Sequence, residues 1–328
     1  MSATDTRKSV AVMLLIPAVV AFALWAFAWP AARTAPRDLP VGVAGSATAA
    51  VEQHLAAREG AFEVRRYADE AAARAAIEDR TVYGAIVVTP RGPRLLTASA
   101  ASPVVAGMLR EAVAAQLPAG NALQVTDVVP APAADPRGAV LAAGLLPVGL
   151  AGAASGAVTS LLGLRGGRAA AALTGAAALS GLVGTAVADS WLGGLTGAWW
   201  TEAGVLSLAV LAVGATVAGL AALIGRAGLA VGAVLMVLLG SPSSGIATAP
   251  ELLPAPMGVL GQWLPPGAAG TALRSVSSFG GAGAGSALLV LVAWAAVGLT
   301  AVLVGGRRAR ARAAGAAPAP APLPEPVA

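Results

Sequence analysis

Residues 240–245, Gly-Ser-Pro-Ser-Ser-Gly, are the part of the chain that most resembles a site of covalent chemistry. A serine on a glycine-flanked turn acts as a nucleophile when a nearby base removes its proton. The only histidine is His54 and the only lysine is Lys8, so no base accompanies the serines in the sequence. We therefore interpret the segment as a helix break, because Pro242 lacks a backbone donor and Gly245 permits reorientation.

The residues that other kinds of catalytic or binding site require are also missing from the chain. A phosphate-binding loop of the GxxxxGK type needs a lysine within it, and Lys8 stands at the extreme N-terminus. Zinc sites with clustered histidines need more than His54. The chain has no cysteine and hence no disulfide. We predict that it has no catalytic residues, no cofactor and no metal and is not an enzyme, so that any ATP hydrolysis belongs to a partner.

The segment at about 241–285 is mostly apolar but interrupted by prolines, which forbid one long helix. Such backbone is tolerated at a membrane only when it is buried in protein or lies at the interface, so we predict a re-entrant or interfacial hairpin. Leu252–Leu260 would dip in, Pro265–Gly267 would turn and Ala269–Val276 would form a short helix. A structural strut and a substrate path are both open roles. The residues predicted for a substrate path or gate are Ser241, Pro242, Ser243, Ser244, Gly245, Glu251 and Arg274.

Long apolar stretches surround one polar block. Hydrophobic residues make up 57% of the chain and charged residues 11%, against about a quarter charged in soluble proteins. About 20 apolar residues span a bilayer as a helix. We predict an α-helical polytopic membrane protein with a small extracytoplasmic α/β domain between helices 1 and 2. The six predicted transmembrane helices are Val10–Trp29, Ala139–Leu164, Ala169–Ala188, Ala203–Ile224, Leu229–Ala249 and Ser286–Val304.

The division into domains follows from these stretches. Residues 1–30 form a cytoplasmic end and helix 1, although Arg7 and Lys8 before an apolar run are also typical of a cleaved signal peptide. Residues 31–138 form the extracytoplasmic domain, and residues 139–306 the five-helix membrane domain. Residues 307–328 form a basic and then Ala/Pro-rich tail, predicted to be disordered from Ala313 onward.

Within residues 31–138, strand-like and helix-like segments alternate. Predicted strands include Phe62–Tyr67 and Val82–Val88, and the helices between strands have Ser46, Asp69 and Ser102 as N-terminal caps. This alternation predicts a mixed or parallel sheet. Arginines and acidic residues are equal in number here, so we expect a solvated surface and no nucleic-acid partner.

Basic residues at the helix ends set the orientation. Short basic loops stay in the cytoplasm, so both termini are predicted inside and residues 31–138 outside a plasma membrane. Tryptophans such as Trp191 and Trp263 then lie at the outer interface, which such rings prefer. The residues that define the inner face are Arg7, Lys8, Arg165, Arg168, Arg226, Arg307, Arg308, Arg310 and Arg312.

The predicted helices are rich in small residues and lack ionisable ones. Gly152–Gly156 and Ser180–Gly184 repeat small residues at four-residue spacing, which favours close helix packing, although a general Ala/Gly bias explains them equally well. No acidic or basic side chain lies inside a predicted helix core, which argues against a proton-driven pump. Asp189, Glu202 and Glu251 stand at helix ends, where we expect them to be solvated.

In layout the chain resembles ABC-2-type permeases, especially the YhgE/Pip-like and related actinobacterial membrane proteins. The resemblance covers nearly the whole chain except the tail and consists of architecture plus one segment. The residues that carry it are Leu39–Val43, Phe62–Tyr67, Val129-Pro130, Asp135–Gly138, Gly240–Pro242, Pro250–Pro254, Leu264–Gly267 and Leu273-Arg274.

This resemblance implies a permease subunit of an export system that moves a hydrophobic or lipid-like substrate. It implies a homodimer or paired permease in the lipid bilayer, with a separate cytoplasmic ATP-binding-cassette ATPase. The alternative is a non-transporting cell-envelope protein whose extracytoplasmic domain binds partners or ligands.

The absence of cysteine makes the topology testable by labelling. In intact cells, a Glu59→Cys variant should react with a membrane-impermeant maleimide, because residues around His54 are predicted outside. An Arg312→Cys variant is the matched control and should react only after lysis. Protection of the thiol of the Glu59→Cys variant in intact cells would contradict the predicted orientation.

Overall fold

A computed structural model describes residues 3–45, 48–90, 92–116 and 122–315. The chain is mostly helical, with one small sheet. Its strands are β1 (Leu39–Gly45), β2 (Phe62–Tyr67), β3 (Gly84–Thr89), β4 (Gly92–Thr97) and β5 (Gln124–Asp127). Its helices are α1 (Ala3–Ala32), α2 (Ala49–Ala56), α3 (Glu70–Glu78), α4 (Pro103–Ala114), α5 (Ala139–Leu161), α6 (Gly167–Thr185), α7 (Trp199–Ile224), α8 (Arg226–Ala233), α9 (Met257–Gln262), α10 (Pro265–Ser278) and α11 (Ala284–Gly315).

The five strands form one mixed sheet in the order β2-β1-β3-β4-β5. Strand β1 is parallel to β2 and β3, β3 is antiparallel to β4, and β4 is parallel to β5. The predicted alternation of strands and helices is therefore confirmed. Asp69 caps α3 by accepting from the Ala72 backbone N–H at 2.8 Å, and Ser102 caps α4 through Val105 N–H. The predicted cap Ser46 lies outside the described residues.

Each face of this sheet has its own core, and both cores include residues from the segment between α8 and α11. Ala249 and Leu252 join the core formed with α4. Phe279 joins the core formed with α3 on the opposite face. The sheet and the helices that cover it, here called the sheet domain, therefore depend for their packing on residues that follow more than a hundred positions later.

Within the described residues, five helices are long and apolar enough to cross a membrane. These candidate spans are Ser9–Ala32, Ala139–Leu161, Gly167–Trp191, Trp199–Ile224 and Ala284–Arg312. The predicted span Leu229–Ala249 is helical only as far as Leu239, with α8 running into a π-helical turn. At about 1.5 Å per residue, Arg226–Leu239 is shorter than the roughly 30 Å hydrocarbon core. The apolar residues continue past the end of the helix, and including them in the prediction overestimated the length of the helix.

Helix α7 is the central helix of the membrane part. Over its most apolar stretch, 56% of the residues are buried, against 6% for α1. Gly156 of α5 approaches α7 so closely that a Cβ there would lie 2.5 Å from the Gly214 carbonyl oxygen. The predicted close packing through Gly152 and Gly156 is confirmed. In α6, however, Gly181 makes the close approach, since a Cβ added there would lie 2.6 Å from the Ala203 carbonyl oxygen.

Two further boundaries differ from the prediction. Pro265 and Pro266 do not turn the chain but form the first turn of α10, where the missing proline N–H costs no hydrogen bond. Arg307–Arg312, predicted as the basic start of the tail, continue α11, because arginine and alanine are good helix formers. Residues 316–328, which include most of the predicted disordered stretch, lie outside the described part.

The contact between α5 and α7 can be tested with one substitution and its control. Gly156→Ala should lower the free energy of unfolding by about 1–3 kcal/mol, because the added methyl meets backbone of α7. Gly144→Ala in the same helix should leave it unchanged or raise it by up to about 1 kcal/mol, since nothing lies within 4 Å of a Cβ at that position and alanine favours the helix. Unfolding in detergent, followed by circular dichroism, measures both. Equal stabilities would contradict this close packing.

Candidate ligand site beneath the sheet domain

The structure separates the predicted site residues into two groups. Ser241, Pro242, Ser244 and Gly245 line a cavity of about 280 Å³ beside residues of α1 and α5, here called the helix cavity. Glu251 and Arg274 line a cavity of about 470 Å³ that also contains Arg80 and Tyr83 of the sheet domain, here called the arginine cavity. Ser243 is buried next to the helix cavity without lining it.

The serine hydroxyls of the helix break bond to the backbone that precedes them. Ser243 Oγ donates to the Leu239 carbonyl at 2.6 Å, and Ser244 Oγ donates to the Ser241 carbonyl at 2.6 Å. Such bonds satisfy carbonyls that a helix leaves free at its C-terminal end. His54 belongs to another cavity, between α2 and α4, and bonds to Gln116. The two serine hydroxyls therefore satisfy backbone carbonyls at the end of the helix.

Arg274 is the central residue of the arginine cavity. It lies on α10 and is only 7% exposed. Its Nη2 donates to the Ile246 carbonyl at 2.8 Å, while its Nε has no hydrogen-bond partner among the residues that the structure describes. Burial, and secondarily the positive charge of Arg80, lower the pKa of Arg274 to about 10. The side chain remains a cation at neutral pH, and burying a cation is costly unless an anion compensates it.

Arg80 reaches the same cavity from the C-terminal end of α3. Its φ of 59° is left-handed, a position that usually holds glycine because a Cβ is strained there. Its Nη1 donates to the Thr271 carbonyl at 3.1 Å and to Ser275 Oγ. The guanidinium carbon lies 5.2 Å from the Phe279 ring centroid, a cation–π contact. Burial lowers the pKa of Arg80.

The carboxylate of the cavity is held by a tyrosine rather than by an arginine. Tyr83 Oη donates to Glu251 Oε2 at 2.7 Å. Burial, with the negative charge of Glu251, raises the pKa of Tyr83, so its hydroxyl stays protonated. The prediction that Glu251 is a solvated helix-end charge is wrong, because it is half-buried and hydrogen-bonded. Within the described residues, neither Arg80 nor Arg274 forms an ion pair.

Hydrogen bonds connect residues that line the arginine cavity with residues that line the helix cavity. Gln262 lines the arginine cavity, and its Nε2 donates at 2.9 Å to the carbonyl of Ser244, which lines the helix cavity. Thr271 Oγ1 donates to Gln262 Oε1 at 2.7 Å. The Ile246 carbonyl that Arg274 binds also borders the helix cavity. Ser244–Thr248 line the helix cavity and Pro250 and Glu251 line the arginine cavity, so one continuous segment, residues 244–251, borders both cavities.

Glu202 also departs from the prediction of a solvated charge. It is fully buried in the first turn of α7, where its Oε1 accepts from the Gly197 N–H at 2.8 Å and its Oε2 has no partner in the described residues. The adjoining Thr196 N–H donates to Ser277 Oγ at 3.0 Å, so the start of α7 is fixed to the end of α10. A negative charge at a helix N-terminus is stabilised by the helix dipole, which accounts for its position.

Glu251 and Arg274 were predicted from the sequence as site residues, whereas Arg80 and Tyr83 were not. Arg80 was interpreted as one of the solvated surface charges and Tyr83 as part of the strand Val82–Val88. Their partners on α10 and at Glu251 are more than 160 positions away. One signal was present, because Arg80 follows an alanine-rich helix where glycine is the usual terminator.

The chain matches no protein-family model, no curated protein and no solved structure. The resemblance to ABC-2-type permeases consequently stays a prediction drawn from layout and the segment at about 241–285.

The Tyr83–Glu251 contact can be tested by removing one oxygen. Tyr83→Phe should lower the free energy of unfolding by about 2 kcal/mol, because the Glu251 carboxylate loses its donor in a half-buried place. Tyr67→Phe is the control, since its hydroxyl has no hydrogen bond within the described residues. Denaturant unfolding in detergent compares the two. An effect of equal size in both variants would contradict a specific bond.

Proposed function

We propose that the chain is the membrane subunit of an export system of the ABC-2 type, with six spans and the sheet domain on the extracytoplasmic side. The single observation that carries the proposal is that one segment, residues 244–251, borders both cavities. The helix cavity is bordered by α1 and α5, both candidate spans, and the arginine cavity is bordered by the sheet domain. A substrate leaving the membrane helices for the sheet domain would pass this segment.

The sixth span in this proposal is the apolar stretch that begins at Arg226. Helix α8 with its π-helical turn ends at Leu239, and the turns as far as Ala249 carry the chain to the sheet domain. Backbone of this kind is stable at membrane depth when protein surrounds it. Ser243 and Ser244 are buried, which supports a protein-enclosed path for this stretch.

In this proposal, energy comes from a separate cytoplasmic ATPase. The surfaces proposed to meet it are the short basic turns on the side away from the sheet domain. Arg165 and Arg168 are exposed in the turn between α5 and α6. A second copy of the chain would complete the permease pair, and the lipid bilayer would cover the exposed side chains of α1.

The test is stimulation of a partner ATPase. The chain, purified in mild detergent, should co-purify with an ATP-binding-cassette ATPase and raise its hydrolysis rate severalfold in proteoliposomes. Arg165→Ala with Arg168→Ala should abolish that stimulation. Arg110→Ala, an exposed arginine of α4, is the control and should preserve it. Hydrolysis that is the same with and without the chain would overturn the proposal.

A second candidate function is ligand binding by a non-transporting envelope protein. It is favoured by the cavity of about 250 Å³ between α2 and α4, whose walls include Val51, Leu55 and Val113. The isolated fragment 35–137 would be an unsuitable test object, because Ala249, Leu252 and Phe279 complete its cores. Saturable ligand binding by the full chain, without ATPase stimulation, would support this alternative.

A further inference from the structure

We propose that the arginine cavity binds the phosphate headgroup of an anionic lipid, with Arg274 and Arg80 as its ligands. The lipid chains would leave the cavity past Trp263 and Leu289. The inference rests on the proposed function in one respect, namely that the bound lipid is the transported substrate. It narrows the expected hydrophobic or lipid-like cargo to one with a negative headgroup.

The arginine cavity contains an uncompensated positive charge. Two guanidinium groups, Arg80 and Arg274, line it together with one carboxylate, Glu251. Glu251 accepts from Tyr83 and forms no ion pair with either arginine in the described part of the chain. One positive charge is therefore unmatched in a largely apolar cavity, where the electrostatic attraction for an anion is strong.

Both arginines also have N–H donors to spare. In the described part of the chain, Arg274 donates only through Nη2, and its enclosed Nε has no partner. Arg80 uses only Nη1 for its bonds to Thr271 and Ser275, as far as the described residues show. Guanidinium groups bind phosphate through paired N–H donors in a fixed fork. Arg274 Nη1 together with Nε and Nη2 of Arg80, which make no hydrogen bond in the described residues, supplies donors for more than one phosphate oxygen.

The cavity has an apolar way out. Its lining includes Trp263 and Leu289, which are 67% and 70% exposed. Leu289 belongs to α11, a candidate span, and tryptophan is enriched where a membrane meets water. The Trp263 carbonyl accepts from Trp294 Nε1 of α11 at 2.8 Å, which fixes this segment against that helix. The cavity thus opens towards the surface that lipid would cover.

The size of the cavity agrees with a headgroup rather than a bare ion. Its volume of about 470 Å³ holds a phosphate with its glycerol part, whereas inorganic phosphate would leave most of it empty. Apolar side chains from α11, Ala287 and Val290, line the side towards Leu289. Contacts of the lipid chains with these residues should add to the affinity, because burying apolar surface is favourable.

Binding to the full-length protein in detergent tests the inference. The probes are dihexanoyl phosphatidic acid, dihexanoyl phosphatidylcholine and inorganic phosphate, measured by calorimetry and by the shift in melting temperature. We expect phosphatidic acid to bind at least tenfold more tightly than either of the other two. Equal binding of phosphatidylcholine would overturn the headgroup assignment. Equal binding of inorganic phosphate would overturn the lipid assignment in favour of a free phosphate.

Substitutions locate the site. Arg274→Met should weaken phosphatidic acid binding at least tenfold, and Arg110→Met, an exposed arginine, should leave it unchanged. Arg80→Met is the second variant if Arg274→Met does not fold, as judged by its melting temperature. Unaltered affinity in a folded variant of either cavity arginine would overturn the inference.

The two proposals fail separately. Phosphatidic acid binding that depends on Arg274, without ATPase stimulation, would support a lipid site and reject the export function. ATPase stimulation without such binding would reject the lipid site and leave the export function standing.

Discussion

The structure depends on one junction, where residues 248–252 are held against the sheet domain. The Ala35 N–H donates to the Leu252 carbonyl at 3.1 Å, and the Arg37 N–H donates to the Glu251 carbonyl at 2.9 Å. Ser102 Oγ donates to the Thr248 carbonyl at 2.5 Å. Backbone groups that leave regular secondary structure need such partners when buried, and the sheet domain supplies them. The chain between Leu239 and α9 is therefore stable without an α-helix.

Apolar packing makes the same junction a shared core. Leu252 is 2% exposed among residues of β1 and α4, and Phe279 packs against the other face of the sheet near α3. Burying a side chain of this size contributes about 1.5–3 kcal/mol. The segment from Ala249 to Phe279 thus packs against both faces of the sheet. The arginine cavity lies at this junction, because the sheet domain contributes Arg80 and Tyr83 and the segment contributes Glu251 and Arg274.

The polar groups of the cavity act against stability. A cation buried without an anion is unfavourable, and a left-handed arginine backbone adds strain. Surrounding contacts hold both side chains in place. Arg80 contacts Thr271 and Phe279, and Arg274 donates to Ile246. Strain and unmatched charge of this kind concentrate at functional sites. This contrast between a well-packed junction and a poorly compensated cavity is the physical basis for placing a ligand there.

Local patterns were sufficient to predict the regular elements. Alternating strands and helices gave the mixed sheet, Asp69 and Ser102 gave two helix caps, and apolar length gave candidate spans that the structure contains. They overestimated the helix in Leu229–Ala249, which ends at Leu239, because composition alone does not show where a helix ends. Small-residue spacing identified Gly156 but selected Gly184 where Gly181 makes the closer contact, since spacing does not reveal which face meets a neighbour.

The sequence by itself determined that the chain has apolar helices around one α/β unit, because these features depend on residues close together along the chain. Only the tertiary structure decided which charges are solvated and which are buried. Arg80, Glu202 and Glu251 look alike as residues at element ends, yet one bonds to α10, one is enclosed beside Gly197 and one accepts from Tyr83. Burial and pairing of a charge depend on what distant segments bring to it, and no local pattern contains that information.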